Sequence, residues 1–197
     1  MGLLLDAAKE WEKLKSVEYG FDIARKNVLT KVRLTFSDID FHHISGMQYA
    51  SSVDFGLRKS EYCGERLLPA ILNGKLNDNK ITLSPKWNQI YGRLMAVLNL
   101  QNILDNDFII VEFNKRKVQG YSKIEAKYAI KSSISNNVYF IFLDERSGQY
   151  YCRSAFENES IDFTKNQSLM TVLRKTKTTN GEVKQLYIRH GYIPEEK

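Results

Sequence analysis

The chain contains three histidines, two of them adjacent, His42 and His43 in DFHHISGM. Imidazole titrates nearest neutral pH, so either ring could serve as a general acid or base. Neighbours on a helix point roughly 100° apart, so one can face the core and the other a groove. Both could equally be structural. His190, close to the C-terminal end, reads as incidental.

A second set lies in segments with strand character. Lys123, Lys127 and Lys131 share a face at an even spacing; Arg153 and Ser154 follow in YYCRSAF, and Arg174, Lys175 and Lys177 in TVLRKTKT. Thr171, Thr176, Tyr128 and Tyr151 place hydroxyls and rings between these charges. Such a face can be ordinary solvated surface. It can also cradle a phosphate, with Lys/Arg stabilising charge on a pentavalent phosphorane and Ser/Thr orienting it. Basic and aromatic residues interleaved on a sheet suit single-stranded RNA, whose bases stack on rings. No GxxxxGK[ST], GxGxxG after a strand, GxSxG or HExxH occurs, and no cofactor is implied. Carboxylates are scattered, so phosphodiester chemistry here would be metal-independent. That favours RNA, whose 2′-hydroxyl is an internal nucleophile.

The bulk properties agree with a folded domain. In 197 residues, 43% are hydrophobic and 26% charged. The net charge of +6 is uneven: residues 1–100 carry 14 Lys/Arg against 11 Asp/Glu, and residues 115–189 carry 14 against 7. A basic second half points to a polyanionic partner. Cys63 and Cys152 lack metal-ligand spacing and read as free thiols in a reducing compartment. The opening MGLLLDAAKEWEKLK meets charge too soon for a signal peptide, and no apolar run spans a bilayer. A cytoplasmic protein without membrane attachment is expected.

The elements that must position these residues follow from periodicity. Leu4, Ala7, Ala8, Trp11, Leu14 and Val17 predict a helix ending near Gly20. VLTKVRLTF (28–36) alternates as a strand, and Ser37 or Asp38 caps a short helix carrying the histidines. Ser60–Leu72 reads as a helix, and a longer one starts at Ser84-Pro85 and closes by Asn106. Beyond Asp107 the period changes to two, over FIIVEF, AKYAIKSS, VYFIFLDE and QYYCRSAF, with hairpin turns at Gly148 and Asn180-Gly181. The expected fold is α+β: N-terminal helices packed on a C-terminal antiparallel β-meander, with 1–29 a helical extension and 30–197 the main domain.

FHHISGM, SPKWNQIYGRL, KIEAKYAI, VYFIFLDE, YYCRSAFEN and MTVLRKTK, in that order, resemble a phage-associated subgroup of the barnase, EndoU, colicin and RelE-like nucleases, the BECR fold, over roughly residues 30–178. The resemblance implies a small endoribonuclease with helices on a four-stranded antiparallel meander and an active site on the exposed sheet face. The family's histidine in F-H-[hydrophobic]-x-G maps onto His43, the basic residue of the first long strand onto Lys127, and the hydroxyl before an aromatic onto Ser154. The polar position entering the last strand maps onto Thr171 or Lys175. Members act as toxins or effectors in phage–host conflict, so an antitoxin or immunity protein is implied as a partner.

The resulting expectation is a metal-independent endoribonuclease. His43, Lys127, Ser154 and Thr171 would be catalytic, and Arg153, Arg174, Lys175, Tyr128 and Tyr151 would bind substrate. The alternative is a noncatalytic phage or mobile-element accessory protein, which binds nucleic acid or an acidic protein through its basic sheet face.

Overall fold

A computed structural model describes residues 2–50, 58–119, 122–158 and 160–194. Helix α1 (Leu3–Leu14) buries Leu4, Ala7, Ala8, Trp11 and Leu14, the stripe its spacing dictates. It stops short of Gly20. From Val17 onward Val17, Tyr19, Phe21 and Ile23 are buried at every second position, and this period-two pattern makes strand β1 (Val17–Arg25) instead of a helical end. Strand β2 (Val28–Thr35) follows, then α2 (Asp38–Ile44), α3 (Lys59–Tyr62), α4 (Leu67–Leu72), α5 (Asp78–Ile81) and the long α6 (Trp87–Asp105). The helix expected over 60–72 is broken by a 3₁₀ turn at Gly64–Arg66, where Gly64 has φ +60°. The remaining strands are β3 (Ile109–Glu112), β4 (Tyr128–Ile134), β5 (Asn137–Arg146), β6 (Gln149–Glu157), β7 (Ser168–Thr179) and β8 (Glu182–Ile188).

The sheet is not an antiparallel meander. Its order is β1-β2-β6-β5-β4-β3-β7-β8, and β1 also pairs with β7, so seven strands close into a barrel with β8 outboard. One seam is parallel: β2 meets β6 through Leu34↔Tyr150 and Thr35↔Tyr151. Bulges in the β1–β7, β5–β6 and β7–β8 ladders supply the bending that closure requires. Hairpin turns at Lys26-Asn27, Ser135-Asn136, Ser147-Gly148 and Asn180-Gly181 each hold two consecutive positive φ angles, the geometry that matches strand twist.

One hydrophobic core lies between the helices and the sheet, joining α1, α4 and α6 to β1, β2 and the inner positions of β4–β6. α1 therefore shares the core of the barrel, and the 29/30 boundary expected between extension and domain lies within strand β2. A second cluster of Phe113, Phe140, Phe142 and Phe163, flanked by Phe156, covers the opposite face of β3–β6.

Asp105, the last residue of α6, ties these layers together. It accepts from Tyr19 Oη at 2.5 Å and from Lys177 Nζ at 2.8 Å, linking β1, α6 and β7. Asp105→Ala strands both donors in a partly buried setting and is expected to lower unfolding free energy by about 2 kcal/mol. Chemical denaturation measures this directly.

Candidate active site at the open edge of β6

β2 ends at Thr35, so the sheet edge of β6 beyond Tyr151 has no strand partner and is taken by α2 and α6. Gly92 of α6 faces β6 here: a Cβ there would lie at ordinary contact distance, 3.4 Å, from the carbonyl oxygen of Glu157. Within β6, the register shifts at a bulge. Leu143 pairs with Cys152 and Phe142 with Ser154, leaving Arg153 as the extra residue. Cys152 and Ala155 both stay in the helix-side core. Arg153 and Ser154, though consecutive, are thereby both turned to the other face, beside Tyr151 and Phe156.

Arg93 of α6 reaches over this edge. Its Nη1 donates to Ser154 Oγ at 2.8 Å and its Nη2 to Tyr49 Oη at 3.2 Å. The guanidinium carbon lies 5.2 Å and 5.4 Å from the ring centroids of Tyr49 and Phe156. Burial pulls its pKa below the ordinary guanidinium value, with Tyr49 opposing, and the group still carries its charge at neutral pH. Among the described residues no carboxylate pairs with it. Tyr49 is delivered by the tight turn at Gly46, φ +79°, where a Cβ would meet Arg93 Cδ at 2.6 Å.

The two histidines of α2 divide as adjacent helical positions must: His42 is buried and His43 exposed, with ring centroids 5.3 Å apart. Partial burial, then the charge of Arg153, hold the His43 imidazole below its ordinary pKa; Arg93 and Arg146 act the same way and Asp40 opposes. Asp40 is buried, accepts from Ser37 Oγ at 2.5 Å and lies 3.5 Å from Arg146 Nη2. Arg146 in turn sits 4.4 Å over Tyr151, whose hydroxyl accepts from Arg153 Nη1 at 3.3 Å. A neutral imidazole thus shares a small surface with three guanidinium groups and three hydroxyls.

Of the residues expected from sequence, the fold brings together His43, Tyr151, Arg153 and Ser154. The others lie elsewhere. Lys127 donates to Glu145, the cross-strand partner of Tyr150, on the opposite face of β6 from Tyr151. Tyr128 packs against Tyr150 on that same side. Thr171 and Arg174 stand opposite Ala24 and Asp22 across the β1–β7 seam. Lys175 is buried, donates to the Asn106 carbonyl and lies 4.8 Å over Phe108. Barrel closure is the reason: β6 and β7 are separated by three strands one way and two the other. The basic half is therefore no single wall. Lys115, Lys127, Lys131 and Lys177 are each engaged by a carboxylate. Arg93, which sequence reasoning passed over, had one signal: the Gly92 before it, mid-helix, where a glycine marks close packing.

A model of the phage-Barnase-EndoU-ColicinE5/D-RelE like nuclease 4 family matches residues 3–190, and the chain belongs to that family. The match takes in α1 and β1 as well as the segments expected to carry the likeness. No curated protein and no solved structure matches.

Gly46→Ala imposes a left-handed backbone on a β-carbon and pushes on Arg93, costing about 1–2 kcal/mol in a denaturation experiment. In the native protein His43 binds its proton less readily than in the unfolded chain, so its contribution to stability is full above pH 6.5 and is lost as pH falls below it. Arg153→Gln is expected to raise the His43 titration midpoint toward 6.5, read by NMR of the imidazole.

Proposed function

We propose that the protein is an endoribonuclease that cuts RNA by transesterification of the 2′-hydroxyl without a metal ion. The observation that carries this reading is Arg93: a desolvated guanidinium held by hydroxyls and rings, without a carboxylate among the described residues, beside a neutral imidazole. Such a group is poised for an external anion, and a phosphodiester is the anion its fork fits.

In the reaction His43 takes the proton of the 2′-hydroxyl. The 2′-oxygen–phosphorus bond forms and the phosphorus–5′-oxygen bond breaks. Products are a 2′,3′-cyclic phosphate and a 5′-hydroxyl, the leaving oxygen being protonated from solvent. Arg93 and Arg153 meet the charge that grows on the non-bridging oxygens, and Ser154 and Tyr49 fix the Arg93 fork. Asp40 and Arg146 set the charge around the imidazole. Lys127 and Thr171 take no part, and the positive charge expected of Lys127 comes from Arg93.

Purified protein incubated with labelled RNA tests this. Cleavage in EDTA yielding cyclic-phosphate ends is expected. His43→Ala and Arg93→Ala should each reduce kcat/KM by about 10²-fold or more. Arg93→Lys should not rescue, because one ammonium cannot span Ser154, Tyr49 and a phosphate. Lys127→Ala should stay within a few-fold of wild type. RNA binding without turnover in the wild-type protein overturns the reading.

A further inference from the structure

On β1, the core-facing Tyr19, Phe21 and Ile23 alternate with Glu18, Gly20 and Asp22 on the outside of the barrel. Gly20 pairs with Arg33 of β2 on one side and Thr176 of β7 on the other. Gly20 brings no side chain, and the Thr176 hydroxyl leans over it, where a β-carbon would lie 2.5 Å from Oγ1; beside them a hollow of about 420 Å³ opens. Such a volume suits a nucleotide-sized group.

The walls have the chemistry of a ribose–phosphate. Arg33, Arg174, Thr176 and Thr178 offer guanidinium and hydroxyl donors, and Glu18 and Asp22 offer carboxylate acceptors. Arg174 Nε is buried and makes no hydrogen bond. Arg33 is exposed, and among the described residues neither arginine is ion-paired. Asp22 Oδ2 accepts from Tyr192 Oη at 3.0 Å, which leaves its other oxygen for a ribose hydroxyl.

The hollow and the His43 site flank one hairpin. Arg146 of the β5–β6 hairpin lies by Asp40 and Tyr151, and Gly148 of the same turn lines the hollow. From β6 through β2 and β1 to β7 is three strand spacings, roughly 14 Å, within reach of a few nucleotides. We propose that the Gly20 hollow binds a ribose–phosphate unit of the RNA strand whose cleaved phosphodiester lies at Arg93. Arg33 and Arg174 hold the phosphate, and Glu18 and Asp22 take the ribose hydroxyl. The inference rests on the RNA-cleaving reading and extends it to substrate length and sugar.

The test uses the full chain with a labelled single strand of about 12 nucleotides, as RNA and as DNA, and a dinucleotide that reaches only His43 and Arg93. Arg33→Glu and Arg174→Gln should each weaken binding of the longer RNA by about 10-fold and reduce the salt slope by about one. Dinucleotide cleavage should be unchanged, which also shows the variants are folded. Variants that bind and cut the longer RNA as wild type does overturn the proposal, as does a parallel loss on the dinucleotide. Equal affinity for DNA overturns the ribose contact. If wild type cuts nothing yet binds RNA in a way these variants lose, the cleavage reading falls and the hollow stands.

Discussion

The candidate active site depends on a seam of two residue pairs. β2 and β6 meet only at Leu34↔Tyr150 and Thr35↔Tyr151, enough to close the barrel and too short to cover β6. An unpaired strand edge demands partners. Here the demand is met by helices: α2, which begins just after β2 ends, and α6, whose Gly92 faces Glu157. A longer seam would have hidden the edge and placed Arg93 beyond reach of Ser154.

The bulge at Arg153 completes the arrangement. Without it, strict alternation would put Arg153 and Ser154 on opposite faces, and one of them would be lost to the core. With it, consecutive residues act on one surface while Cys152 and Ala155 remain packed. The electrostatics follow from the same crowding. Partial burial first, then three guanidinium groups against the single opposing charge of Asp40, hold the His43 imidazole below its ordinary pKa, and Arg93 is left to an outside anion.

Much of this was legible in the residues. Periodicity located α1, β2, α6 and the strands from β3 to β8, and the FHHISGM and RSAF segments marked His43 and Ser154, which do stand on one surface. In sequence Gly20 looks like a helix stop, whereas in the fold it sits within β1 and leaves room for the Thr176 hydroxyl. Closure was invisible: no local pattern announces that residues near 20 pair with residues near 176. Missing closure, one assigns every basic strand residue to one wall, and Lys127, Thr171, Arg174 and Lys175 were grouped with Arg153 for that reason. Arg93 was overlooked because an arginine on an amphipathic helix resembles ordinary solvated charge.

The β1–β7 seam also has a bearing on biosynthesis. Its partners, from Val17↔Thr179 to Ala24↔Thr171, lie roughly 150–160 residues apart along the chain. Pairings of such separation form late and slowly, since loop closure must precede their reward. A nascent chain with β7 still in the ribosome can build helices and the β4–β5–β6 hairpins, yet its barrel stays open along one side. Completion of the barrel, and the rigidity of any surface that depends on it, is thereby deferred until β7 has been made.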